Sequence, residues 1–491
     1  MRFDSPAYLV FLTVVVLVYW RLSHRGQNIL LLGASYLFYA WWDWHFLALL
    51  VFSNVLNHHL ALLLSVPLPR FRQRLYLTSA VMANLLILGI FKYYHFFVDS
   101  LIALLRVVGI THLPTSALHI VLPLAISFYT FQSLAYVIDV SRHRLPPAKN
   151  IINSALLVSL FPHLVAGPIQ QPSYLLSQIE QPRTLDWERF FHGLMLIATG
   201  LFRKCVIANN CALIADAAFG GNLGSSNTAL VLLGVYAYAW QIYADFSGYS
   251  DIARGSAQLL GFHFIVNFRQ PYLALSVQDF WTRWHISLST WLRDYLFLPI
   301  SYWLSRKVEH IPVRLLRTDY AIYGIATLIT MLLAGLWHGA SWTFVAWGGL
   351  LGFALAVERV GWARVPRKYN PLRAKSWPLL SCRSIVMRLT VFHFICLAWI
   401  LFRSDSLAAA GVFLSGLLVP GWSPAFGPAF IFLGLLGGAL FLIDIVNEVR
   451  KEEYLLQRSS VAVRVCIGVG LLLIVALFSG NEAATFVYFQ F

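Results

Sequence analysis

Apolar residues along this chain come in long unbroken runs, not in alternation. The first five fall at 7–20, 28–42, 45–65, 75–98 and 118–139, and a bilayer takes about 20 helical residues to cross. The second and third runs read as a hairpin turning at Asp43. The next stretch, IINSALLVSLFPHLVAGPIQQP (151–172), is apolar but broken by Pro162, Gly167 and Pro168. Helix breakers at membrane depth predict a re-entrant piece packed inside protein. Runs follow at 191–214 and 228–244, with the Gly/Ser/Asn-rich stretch 220–227 between them as a flexible loop. The centre, 245–317, is the most polar part, and apolar helices resume at 321–336, 340–357, 386–402, 427–446 and 462–479. The expected fold class is an all-α polytopic membrane protein, with about eleven spanning helices and further re-entrant or in-plane helices. Unbroken runs argue against a membrane β-barrel, whose strands alternate. No internal repeat and no soluble domain longer than a loop is visible.

Composition agrees. Of 491 residues, 59% are hydrophobic and 12% charged, where soluble domains carry about 25% charged residues. The net charge of +15 does not indicate nucleic acid, because the basic residues sit in short loops between apolar runs: RLSHRG (21–26), PRFRQR (69–74), SRHRLPPAK (141–149), the 359–384 stretch and VRKEEYLLQR (449–458). Basic loops stay in the cytoplasm, against anionic head groups. Parity then places the N-terminus outside, with 66–74, 141–149 and 449–458 inside. The first run lacks a basic leader and a small-residue cleavage site, so it reads as a retained helix. Cys205, Cys211, Cys382, Cys396 and Cys466 form no CxxC pair, which supports neither a disulfide framework nor a zinc site.

Ionisable residues inside membrane segments are costly and need a reason. Three clusters stand out. In WQIYADFSGYSDIARG (240–255), Asp245 and Asp251 flank a Ser-Gly pair, with Tyr243 and Tyr249 nearby. Gly248 predicts a helix break there, and the aspartates read either as caps of the next helix or as one wall of a polar pocket. Too few ligands stand close by for a metal site. In VQDFWTRWHISLSTWLRDYLFLP (277–299), a helix would align Trp281, Trp284, His285, Leu288, Trp291 and Tyr295 on one face, and Asp279 and Arg283 would pair at i,i+4. This stretch reads as an in-plane amphipathic helix at the head-group zone or as a pocket lining. The third cluster is GLWHGASW, where His338 lies between Gly335 and Gly339. Small residues four apart are a helix-packing motif, but they also let a ligand approach, and an apolar surround keeps an imidazole neutral, as a general base requires. No nucleotide loop, GxSxG elbow or HExxH is present. A base without a side-chain nucleophile suggests direct transfer between two bound substrates.

YADFSGYSDIARG, PYLALSVQDFWTRWHISLSTWLRDYLFLPI and LLAGLWHGASWTFVAWG resemble, in order and spacing, the core of the membrane-bound O-acyltransferase family. SFYTFQSLAYVIDV (127–140) and HLVAGPI (163–169) are similar to upstream family segments, while SYLFYAWWD (35–43) and FVYFQF (486–491) resemble the bacterial alginate O-acetyltransferase branch. The resemblance covers essentially the whole chain. It implies one membrane-embedded domain over 1–491, with N-terminal helices (1–150), a catalytic core (151–358) and C-terminal helices (359–491). It implies that His338 is catalytic, with His285 at the second motif position, around a funnel through the membrane. It also implies a cytoplasmic acyl thioester, acetyl-CoA, as donor with no bound cofactor. Acetyl would pass to a periplasmic partner resembling SGNH hydrolases, which modifies an exopolysaccharide, in a bacterial inner membrane. One departure is SYWLSRKVEHIPVRLLRTD (301–319) where that branch has a Gly-Gly-Asn-Arg turn, which leaves the polysaccharide open.

The expected site therefore comprises His338 and His285 for catalysis, and Tyr243, Asp245, Asp251, Trp281, Arg283, Arg293 and Trp337 for substrate binding, with no metal. The three clusters are expected to share one cavity, narrowest at His338. Arg269, Arg283 and Arg293 would meet phosphates at its cytoplasmic mouth or anchor the interface. The competing readings are D-alanyl transfer to teichoic acid from a carrier protein, and a proton-coupled transporter relaying through the histidines and aspartates. The missing paired broken helices argue against the latter.

Overall fold

A computed structural model describes residues 1–110, 120–165, 167–221, 226–308, 318–363, 381–479 and 486–487. Half of the 220–227 loop, most of the 359–384 loop and all but two residues of FVYFQF lie outside the described residues, as does much of the segment that departs from the alginate branch. The helices are α1 (Pro6–Tyr19), α2 (His24–Ala40), α3 (His45–Ser65), α4 (Arg70–Leu88), α5 (Tyr94–Val107), α6 (Ile126–Ser141), α7 (Ile151–Ser159), α8 (Phe161–Leu164), α9 (Pro172–Glu180), α10 (Trp187–Leu201) and α11 (Asn209–Gly220). They continue with α12 (Thr228–Leu259), α13 (Val277–Arg283), α14 (Ile286–Leu292), α15 (Leu298–Val308), α16 (Thr318–His338), α17 (Trp342–Ala363), α18 (Cys382–Arg403), α19 (Leu407–Ser415), α20 (Phe426–Arg450) and α21 (Val461–Phe478). Among the described residues, nine helices are long and apolar enough to cross a membrane, and α1 and Leu407–Leu418 are shorter apolar helices. The chain is a multi-pass, all-α membrane protein.

It divides into two compact units. One comprises Met1–Ile197 with Ile252–Ile265, the other Ala198–Asp251 with Val266–Phe491.

In the first unit, polar side chains knit apolar helices together. Asn57 of α3 and Asn84 of α4 exchange amide hydrogen bonds of 3.2 and 2.8 Å. Asn28 of α2 donates to Asn153 of α7 at 3.1 Å, and Asn54 of α3 donates to Ser159 at 2.7 Å. Between apolar helices such pairs supply the direction that dispersion lacks. The turn at Asp43 is held by its Oδ1, which accepts the His45 N–H at 2.9 Å. The run read as 75–98 is longer: Arg70 to Val107 is one span, widened by a π-helical turn over Gly89–Tyr93. The 151–172 stretch breaks as its prolines predict, into α7, the four-residue α8 and then α9, and its core from Asn153 to Val165 is buried. The Phe161 N–H released at the break finds the Ser35 hydroxyl at 3.0 Å.

In the second unit, α16 and α17 form a closely packed hairpin. A methyl group on Gly335 would strike the Phe344 carbonyl, and one on Gly348 the Met331 carbonyl. The expected break at Gly248 does not occur, for α12 is continuous from Thr228 to Leu259. A Cβ at Gly248 would lie 2.7 Å from the Gly200 carbonyl. The glycine is there to let two backbones touch, not to turn the chain.

Candidate active site

His338 ends α16 and is 4% exposed. Aromatic rings enclose it. Trp347 stands edge-on at 5.1 Å between centroids, Phe402 at 5.2 Å and the preceding Trp337 at 4.9 Å. Trp347 stacks on Trp399 at 6.0 Å. Neither glycine beside His338 leaves room for a ligand: a Cβ on Gly335 or on Gly339 would run into Phe344. Their role is the packing one. Phe344 in turn stands perpendicular to Phe402, 4.8 Å away.

The 277–299 stretch is not one helix. His285 takes a left-handed conformation (φ 43°, ψ 52°) and divides α13 from α14. Non-glycine residues adopt this conformation at a cost, and when they keep it the surroundings hold it in place. Here Asn267 does so. Its carbonyl accepts the Ile286 N–H at 3.0 Å. Its Oδ1 accepts the Ser287 N–H at 3.2 Å and hydroxyl at 2.9 Å, and lies 3.3 Å from His285 Nδ1. An oxygen that already accepts two hydrogen bonds requires Nδ1 to carry the proton. Nε2 is then the basic nitrogen. Burial pushes the imidazole down to about 3, so it is neutral at physiological pH. Phe246 stands edge-on to His285 at 4.6 Å.

Trp337 joins the two histidines. Its ring is 6.2 Å from that of His285 and 4.9 Å from that of His338. The motif residues of two distant segments thus meet around one indole.

α13 is fastened at both ends. Glu358 of α17 accepts the Val277 and Gln278 N–H groups at 3.0 and 2.8 Å, which satisfies donors that a helix start leaves open. Ser276 caps the Asp279 N–H at 2.9 Å, and Asp279 returns the bond to the Leu275 N–H at 2.9 Å, in the manner of a capping box. Arg283 bonds Asp279 at 2.9 Å, as its i,i+4 spacing predicts, and also grips both oxygens of Glu448 at 3.0 and 3.1 Å. The arginine anticipated at a phosphate is engaged in a clamp between α13 and α20. Arg269 is exposed and its N–H bonds the Arg283 carbonyl at 2.9 Å.

A cavity of about 430 Å³ opens beside these elements, lined by Trp281, Ser289, Thr290, Arg293, Thr330 and Met331 among others. Arg293 is mostly exposed and pairs with Asp294 at 2.7 Å. Trp281 stands edge-on to Trp347 at 5.9 Å, so a single indole separates the cavity wall from His338. Trp281 and Arg293 are the two anticipated binding residues on this cavity.

Tyr243, Asp245 and Asp251 are not among the lining of that cavity and sit in a buried charge network. Lys204 Nζ lies 2.7 Å from Asp245 and Arg203 lies 2.8 Å from Asp251. Tyr243 donates to Asp444 at 2.8 Å, and Asp444 is 3.9 Å from Arg203. Arg203 and Lys204 sit in the π-helical turn Phe202–Ala208. Sequence reasoning passed over Arg203, Lys204 and Asp444, although each is an ionisable residue inside an apolar run, the signal that singled out His338. Asn267 and the rings around His338 carried no such signal. Among the described residues no group of three or more His, Cys, Asp or Glu could hold a metal ion.

Residues 148–404 match the membrane-bound O-acyltransferase family. The chain is 40% identical over 415 residues to a probable alginate O-acetylase, AlgI, of Pseudomonas syringae pv. tomato, covering 84% of this chain and 74% of that protein. It is 35% identical over 449 residues to a peptidoglycan O-acetyltransferase of Helicobacter pylori, covering 85% and 79%. A teichoic acid D-alanyltransferase of Bacillus subtilis is 25% identical over 284 residues, covering 57% and 68%. The family match spans both histidine-bearing segments. The chain belongs to the membrane-bound O-acyltransferase family and is an O-acyltransferase.

Proposed function

We propose that this enzyme O-acetylates an exported polysaccharide from the bacterial inner membrane. It would draw acetyl from a cytoplasmic thioester such as acetyl-CoA and pass it to a hydroxyl presented by a periplasmic partner resembling SGNH hydrolases. The observation that carries the reading is the meeting of His338 and His285 around Trp337, one indole from a cavity, in a chain similar over more than four fifths of its length to O-acetylating enzymes. Such a donor brings a thioester carbonyl and a phosphate-bearing tail. Arg293 at the cavity suits the phosphates, and Ser289, Thr290 and Thr330 suit the amides of the donor's arm.

In this reading His338 takes the proton of the acceptor hydroxyl as its oxygen attacks the thioester carbonyl. The tetrahedral intermediate collapses, the C–S bond breaks, and the proton passes to the departing thiolate. His285, neutral and held by Asn267, orients substrate or steadies the developing charge. A D-alanyl ester is the second reading, favoured by the match to the teichoic acid enzyme, but over less of the chain. Ester-linked groups released by mild alkali from the cell's polysaccharides decide between them. Deleting the gene is expected to remove acetate from one exported polymer, and His338→Ala is expected not to restore it. Loss of D-alanine would favour the second reading. No change in either would overturn both.

Asn267 offers a finer test. Asn267→Ala removes the acceptor that fixes the His285 tautomer, and a loss on the order of the 10–100-fold seen when a metal-binding histidine loses its orienting partner is expected. Asn267→Asp keeps an acceptor at Nδ1 and is expected to recover part of the loss. Equal activity in the alanine variant and the wild type would show that the bond orients nothing.

A further inference from the structure

A second cavity, of about 460 Å³, lies away from the histidines, between α12, α18 and α20. Its walls include Trp240 and Tyr272 on one side and Phe392 on another, and its floor is a glycine stretch of α20. Gly437 is covered, because a Cβ there would strike the Trp240 indole, but Gly434 and Gly438 have nothing within 4 Å of an added Cβ. These two glycines, four apart, leave α20 bare where it lines the groove. All three helices are among the membrane-spanning candidates, so the groove lies at bilayer depth.

One end of the groove is marked by charge. Among the described residues, Arg388 is the one of fixed charge in its lining. Its Nε donates to the Leu273 carbonyl at 3.0 Å, and it interacts electrostatically with Arg283, Asp279 and Glu448. Arg283 already bonds both of those carboxylates. Arg388 is six residues into α18, or about 9 Å along its axis, within reach of the head-group zone for a snorkelling arginine. Glu448 is close to the C-terminus of α20, where Arg450 and Lys451 follow. The basic ends of both helices therefore lie at the Arg388 end. At the other end, the Tyr236 hydroxyl and His393 Nε2 bond at 2.9 Å.

We propose that this groove is a binding site for one anionic phospholipid, with its phosphate at Arg388 and an acyl chain laid over Gly434 and Gly438. A partner helix fits less well. A helix is about 10–12 Å across with a pitch of about 5.4 Å, so the cavity holds only about one turn of it. The volume lies in the range of small-ligand sites, about 300–1,000 Å³. The site borders the aromatic core: Tyr272 packs on Trp284 at 6.5 Å, Trp284 on Trp399 at 5.1 Å, and Trp399 on the Trp347 that touches His338.

The test uses full-length protein purified in detergent, delipidated, and titrated with dioleoyl phosphatidylglycerol in mixed micelles. Bound copies are counted by native mass spectrometry, and melting is followed in parallel. Wild type is expected to bind one copy tightly and to melt several degrees higher with it. Gly434→Leu places its Cβ in open space on the groove wall and is expected to abolish both effects. Gly438→Leu fills it one turn further on and serves if the first variant does not elute as a single species. Arg388→Gln is expected to weaken binding at least tenfold. Gly470→Leu, equally open but on α21, is expected to bind as wild type does. Equal lipid occupancy in wild type and both groove-filling variants would overturn the proposal, as would unchanged affinity in Arg388→Gln. A second protein chain that leaves on Gly434→Leu while the lipid stays would make the groove a protein interface instead.

Discussion

His338→Ala is expected to reach the membrane in wild-type amount and to transfer no measurable acetyl group. Removing a general base commonly costs about 10²–10⁴ in rate, and the rings of Trp337, Trp347 and Phe402 that stand against the imidazole carry no group basic enough to take its place. The change leaves a void among these rings, so stability must be measured beside activity. His338→Gln fills most of that space and can form hydrogen bonds but is a very weak base; it is expected to be as inactive as the alanine variant while melting closer to wild type. His285→Ala should fall less far in activity, since its assigned part is to orient or to stabilise charge. Near wild-type transfer by His338→Gln would rule out proton abstraction at this position.

What the sequence disclosed and what it concealed divide along a physical line. Spanning helices were legible because a bilayer imposes a length and a polarity on each of them. α3, α17 and α20 lie within a few residues of their expected places. The break at Pro162 was legible because proline cannot continue the bonding ladder. Gly248 misled, since a glycine serves a turn or a close approach equally well, and the partner backbone at Gly200 is 48 residues away along the chain. His285 misled for a related reason. Its face was assigned by extending one helical period through a residue that tertiary contacts with Asn267 hold in the left-handed region. The catalytic candidates themselves were found by the rule that an ionisable group at membrane depth needs a reason. Applied evenly, that rule would also have reached Arg203, Lys204 and Asp444.

That network supplies the second large effect. Lys204 and Asp245 are each 1% exposed in their side chains and 2.7 Å apart, and Asp245 also accepts the Val487 N–H at 2.7 Å. Removing one member of a buried pair strands the other charge at a cost of about 3–5 kcal/mol. Lys204→Met is therefore expected to lower the melting temperature in detergent sharply, and Asp245→Leu to do the same. Replacing both with apolar residues removes the stranded charge, and such exchanges are often neutral or better. Lys204→Met with Asp245→Leu is thus expected to melt above either single variant, a positive coupling that a double-mutant cycle measures directly. Additive losses would mean that the two residues do not form the pair described. The same variant decides what Asp245 does. If the aspartate only balances Lys204, a refolded double variant transfers acetyl groups. If Asp245 also meets substrate, as its place in the YADFSGYSD segment first suggested, the double variant folds and remains inactive.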